Sequence, residues 1–271
     1  MVRAINIFCL LLLISMTLCI TNAAGENKSI VVTTSLLKNA IDEVKPESAG
    51  IDVTVLLPPA SCPGHFDLSP RIIPAIRSAS MIIRHDYQDI LEKKICDLTD
   101  QSLTARVIST DSSPLIPGNY RDIVAEMSDI LVELYPGDKE EIEANVTAVN
   151  KQIDTFEHEI ETVKLKFAGK QVICATHVSG LCAWLGLDVV GILKRPEETT
   201  PGDLTALCNL NACLIVCNLQ EGTQTAFSLG QKMKIPVVVM SNFPGVRGFG
   251  RTYIELLTEN TDRLYEKWQK Q

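Results

Sequence analysis

Three of the chain's four histidines, His65, His85 and His177, stand just past the ends of short apolar runs. Neutral imidazole is the commonest protein ligand for zinc and related ions. In open α/β sheets, ligands bind beyond the carboxyl ends of the strands. Histidines contributed there by both halves of a chain point to a metal ion held in a cleft. His65 sits in a tight loop, Pro58-Pro59-Ala60-Ser61-Cys62-Pro63-Gly64-His65, whose prolines and glycine fix its course. His85 follows Met81-Ile82-Ile83, and His177 lies three residues past Cys174. The fourth ligand is open between Cys62, Glu221 and a water. Cys62 stands three residues before His65, and as a thiolate it would favour a soft or borderline ion. Ser241 and Asn242 follow the last apolar run. The stretch from Glu197 to Asp203 reads as the first turn of a helix capped by Thr200 or Asp203, with carboxylates at the cleft rim. His158 falls mid-helix and reads as solvated.

The elements that must place these groups follow a simple order. Strands are expected at 30–33, 53–57, 81–83 and 105–108, then at 171–174, 188–192, 213–216 and 237–240. Helical stretches lie between them, including Leu36 to Val44, Pro70 to Ser78 and Tyr253 to Trp268. Short apolar strands alternating with helices indicate parallel βαβ units. Between the two sets, Ile142, Val146, Val149, Ile153, Phe156, Ile160, Val163 and Phe167 recur in steps of four and three. That spacing predicts one unbroken helix of about 45 Å, with Asp138 and Glu141 as a capping box and Ala168-Gly169 as its stop. The expected fold class is α/β: two lobes, each a mainly parallel four-stranded sheet with flanking helices, bridged by one long rigid helix. The expected division is 1–24 signal peptide or anchor, 25–135 first lobe, 136–168 bridging helix and 169–271 second lobe.

Composition excludes several functions. The net charge of −8 leaves no basic face for nucleic acid. Aromatic residues are 5% of the chain, too few for a sugar-stacking cleft. Arg3, the apolar stretch from Ile5 to Ile20 and the small residues Ala23, Ala24 and Gly25 have the layout of a secretory signal. An uncleaved anchor and a lipid attached at Cys19 are the competing readings. The expected location is extracytoplasmic: secreted, periplasmic or held on the outer face of the membrane by the N-terminal segment alone. Seven cysteines follow that segment, several of them inside apolar strands where thiols act as small hydrophobes. Asn27 and Asn145 head N-x-S/T sequences. No nucleophile elbow, HExxH or phosphate-binding loop is present, so the chain reads as a binding protein and not an enzyme.

Four stretches resemble the metal-binding solute-binding proteins of ABC transporters, the zinc/manganese, TroA-like group. Leu57-Pro58-Pro59 through His65-Phe66-Asp67-Leu68-Ser69-Pro70 is similar to that family's histidine loop. Ala79 to His85 resembles its next strand. His177 with Leu185-Gly186-Leu187 through Gly191-Ile192 resembles a second ligand segment, and Pro236 to Met240 its last strand. The resemblance implies a monomeric receptor that captures a divalent cation, Zn2+ first with Mn2+ or another ion open, and delivers it to an ABC permease. It implies His65 and His177 as ligands. Residues 113–119 hold no histidine where the family carries one, Ser241 replaces its aspartate, and His85 stands where it has Asn and is placed to compensate. These departures keep a metal chelate or organic solute open as the cargo. An extracytoplasmic enzyme using His177, or an adhesin, are the remaining readings.

Overall fold

A computed structural model describes residues 28–62, 69–99, 105–110 and 113–269. The signal segment, Asn27 and His65 lie outside the described residues. Two four-stranded sheets, parallel throughout, make up the frame. β1 (Lys28–Val32), β2 (Ile51–Val55), β3 (Met81–His85) and β4 (Ala105–Ile108) form the first, in the order β2-β1-β3-β4. β5 (Gln171–Ala175), β6 (Asp188–Leu193), β7 (Leu214–Asn218) and β8 (Val237–Met240) form the second, in the order β6-β5-β7-β8. The same order twice, with parallel pairing, is the doubly covered α/β arrangement that the alternating pattern predicts.

Strand residues alternate between two cores, as the pleat requires. In β1, Ile30 and Val32 join the central core while Val31 faces an outer cluster with Ile82, Ile76 and Ile95. In β5, Val172 and Cys174 face the centre and Ile173 an outer cluster with Ile215 and Leu229. The central core is continuous across both sheets. Ile142, Val149, Ile153 and Phe156 of the bridging helix lie in it with strand residues from each side.

The bridging element departs from the expectation in one respect. It is two helices, Lys139–Glu159 and Glu161–Phe167, joined at Ile160 (φ −89°, ψ −1°). The Ile160 N–H is shared between the Phe156 and His158 carbonyls, which tightens the turn. The apolar stripe continues through the joint, because Ile160 and Phe167 are buried on either side of it. The helix stops at Gly169, whose φ of +70° is the left-handed conformation glycine adopts without strain. The expected capping box at Asp138 does not form. Asp138 instead accepts from the Ser48 hydroxyl at 3.2 Å and Glu141 from the Glu47 N–H at 2.8 Å, so both carboxylates tie the helix start to the β1–β2 connection. At Thr200 the cap is as expected: its side chain accepts from the Asp203 N–H, and Asp203 from the Thr200 N–H.

Polar ties join the two halves. The Ser35 hydroxyl donates to the Pro244 carbonyl at 2.7 Å, and the Tyr253 N–H to Asn39 Oδ1 at 2.5 Å. Tyr253 also stacks on Tyr120, with ring centroids 3.6 Å apart. Tyr253 opens the last helix, Tyr253–Gln269, which packs on β8 and on the bridging helix.

Candidate metal centre

The carboxyl ends of the strands from both sheets converge on one cavity of about 570 Å³. Cys62, Tyr87, Thr110 and Ser113 line it from the first half, and Thr176, His177, Arg195, Asn218, Gln220, Glu221 and Asn242 from the second. Among the sequence candidates, Cys62, His177 and Glu221 are brought to this cavity.

His177 lies in a short turn, Thr176–Val178, directly after β5. Its side chain is 49% exposed. Glu221 follows β7 by three residues and its side chain is 4% exposed. The carboxylate accepts from both groups of His177: Nδ1 lies 2.7 Å from Oε1, and the backbone N–H lies 3.3 Å from Oε2. A carboxylate on Nδ1 fixes the tautomer and leaves the Nε2 lone pair outward. Nε2 has no hydrogen-bond partner among the described residues. The sequence offers Glu221 as one of three candidates for the fourth ligand, beside Cys62 and a water. In the structure its oxygens are engaged by His177, and it orients the imidazole.

The turn that carries Glu221 is itself fixed by Asn218. Asn218 Oδ1 accepts from the Gln220 N–H at 2.9 Å and the Glu221 N–H at 3.1 Å. Gln220 then reaches across the cleft. Its Nε2 donates to the Pro59 carbonyl at 2.7 Å and to Ser241 Oγ at 2.9 Å, and its Oε1 accepts from the Asn242 N–H at 3.1 Å. Ser241 is fully buried, engaged by Gln220 and by the Phe243 backbone, and does not line the cavity.

His85 does not reach the ion site expected of it. It is the last residue of β3, fully buried, and absent from the cavity wall. Its Nε2 faces Thr34 Oγ1 at 3.1 Å and its Nδ1 faces Thr110 Oγ1 at 3.0 Å, so both nitrogens are occupied. Burial pushes its imidazole down to about 4, and the nearby Asp86 charge opposes this only in part. Tyr87, stacked on the His85 ring at 5.2 Å, stands at the cavity in its place. His158 is 87% exposed, as expected of a solvated helix position. Among the described residues no group of three His, Cys, Asp or Glu side chains is gathered to hold an ion.

Sequence reasoning passes over Asn218 and Gln220, because amides carry no ligand signature. One signal is available. His85 and Gln88 have the same spacing after β3 as Asn218 and Glu221 have after β7.

The model of the family described as zinc-uptake complex component A, periplasmic (ZnuA), matches residues 115–267. The chain belongs to the ZnuA family. It is a metal-capturing solute-binding receptor of the kind that serves ABC transporters. Solved structures share the ZnuA-type fold. The periplasmic zinc-binding protein TroA from Treponema pallidum superposes with a TM-score of 0.75 at 13% identity, covering 89% of this chain and 99% of that one. The laminin-binding protein Lmb of Streptococcus agalactiae, described as bifunctional with adhesin and metal-transporting activity, gives 0.73 at 18% identity, covering 89% and 99%. A Mn-bound mutant of the periplasmic metal-binding protein from Candidatus Liberibacter asiaticus gives 0.70 at 14% identity, covering 88% and 98%. No curated protein matches the chain in sequence. Among the described residues no helix is long and apolar enough to cross a membrane.

Proposed function

We propose that this ZnuA-family chain captures Zn2+ in the inter-lobe cavity, outside the cytoplasmic membrane, and hands it as a monomer to an ABC permease. The observation that carries the reading is the His177–Glu221 pair, which aims an imidazole lone pair into a cavity walled by both halves. His65 supplies a second imidazole from the loop that leaves Cys62, itself a wall residue. The Cys62 thiol and water are the candidates for the remaining positions. Neutral nitrogen with a thiolate or water suits zinc better than magnesium or calcium, which take oxygen donors. The acidic surface, −8 net, raises the local cation concentration. Lobes 25–135 and 169–271 close on the ion, with the 136–168 element limiting their travel, and the permease parts them again.

The test is elemental analysis of the natively purified protein with isothermal titration of the stripped form. About one equivalent of zinc is expected. The combined His65→Ala and His177→Ala variant should lose it, and unaltered binding in that variant would reject the site.

A further inference from the structure

The reading above rests on a cation, yet the cavity is built for something larger. A first shell of zinc ligands extends only about 2.0–2.3 Å from the ion. About 570 Å³ is the space of a small-molecule site, typically about 300–1,000 Å³. The polar groups on the wall are also wrong for a bare ion. Asn218 is fully buried, with Oδ1 committed to two backbone N–H groups, and its Nδ2 has no partner among the described residues. Asn242 is 9% exposed, and its buried Oδ1 has no partner. Arg195 adds a guanidinium to the same wall. A buried polar atom left without a hydrogen bond keeps its full desolvation penalty, so a ligand group that reaches it is favoured by a similar amount.

A cation does not satisfy the Asn218 N–H. A carboxylate does, and a hydroxyl or amino group satisfies Asn242 Oδ1. Among the described residues no third His, Cys, Asp or Glu side chain is gathered with His177 and Glu221 into an ion site. Donors brought by the cargo itself would complete the ion's coordination. We infer that the cargo, within the transport reading above, is a divalent cation already chelated by a small hydroxy- or aminocarboxylate. His177 holds the cation, while Asn218, Arg195 and Asn242 hold the chelator.

The probes are Zn2+ alone, citrate alone and equimolar zinc citrate, titrated into the metal-stripped protein at matched free-zinc activity and followed by native mass spectrometry. The expected result is a ternary mass of protein, zinc and citrate, with zinc retained at least about tenfold more tightly than from zinc alone. Zinc histidinate serves as the aminocarboxylate arm, and a ternary mass with either chelator supports the proposal. In Arg195→Gln and Asn218→Leu the ratio of ternary to binary affinity should fall towards one. The inference is overturned if both chelators merely withdraw zinc in proportion to its free activity and no ternary mass forms; zinc binding itself would then still uphold the transport reading. If neither free nor chelated zinc binds, both fall together.

Discussion

The two sheets carry the same crossing at their carboxyl ends, and the halves use it in opposite ways. Matched through strand pairing, His85 takes in the first sheet the place of Asn218 in the second. Gln88 corresponds to Glu221, and Thr110 to Asn242. In the first half most of these groups satisfy one another, and Gln88 Nε2 alone of them has no partner among the described residues. Thr33 donates to Gln88 Oε1 at 2.6 Å, the His85 N–H donates to the same oxygen at 3.0 Å, and two threonine hydroxyls close on the imidazole. In the second half Glu221 holds His177 at the cavity, and Asn218 Nδ2 and Asn242 Oδ1 have no partner among the described residues. Histidine at a strand end is therefore either presented to the cavity or locked into the fold, according to what the neighbouring strand's turn offers it. A buried polar group with its bonds made rigidifies the fold, and an unpartnered one that lines a cavity, as Asn218 and Asn242 do, is open to a ligand.

The sharpest way to break this comparison is to remove each histidine in turn. His177→Ala should weaken zinc binding about a thousandfold, beyond the 10–100-fold typical of losing a supporting partner. His85→Ala should leave zinc affinity within about threefold and lower the melting temperature instead. Equal losses of affinity in the two variants, read by titration calorimetry, would erase the distinction.

Acid should find the locked histidine next. An unfolded histidine takes up its proton near pH 6.5, whereas His85 resists until about 4. The unfolded chain thus binds more protons in that window, so stability falls as pH drops from about 6.5 to 4. The loss from this residue is on the order of 3 kcal/mol. His85→Asn, which copies the second half, should flatten that part of a denaturant-midpoint profile.

Glu221→Gln keeps the shape of the site but frees the imidazole tautomer. Zinc affinity should fall about 10–100-fold while the melting temperature changes little. The smallest effect is Thr110→Val, which removes one hydroxyl from His85 and should cost about 1–2 kcal/mol in urea unfolding without altering zinc affinity.

Much of the frame is readable because strands buried on both faces print continuous apolar runs. Gln171–Ala175 and Leu214–Asn218 fall where those runs do. The bridging stripe was equally plain, but a turn tightened at a buried isoleucine leaves the apolar spacing intact, so the joint at Ile160 was not. His177 was legible from its place after a strand. His85 was misread because its fate depends on Thr34 and Thr110, 51 and 25 residues away in sequence. The Asp138 cap failed for the same reason: a partner at Ser48, remote in sequence, outcompeted the local bond.

Gln220 clasps the Pro59 carbonyl of the opposite half, and the next residue is the carboxylate that steadies His177. A movement that separates the halves would break this bond one peptide unit away from the carboxylate on His177. In the proposed receptor, parting the jaws would thereby loosen the cargo.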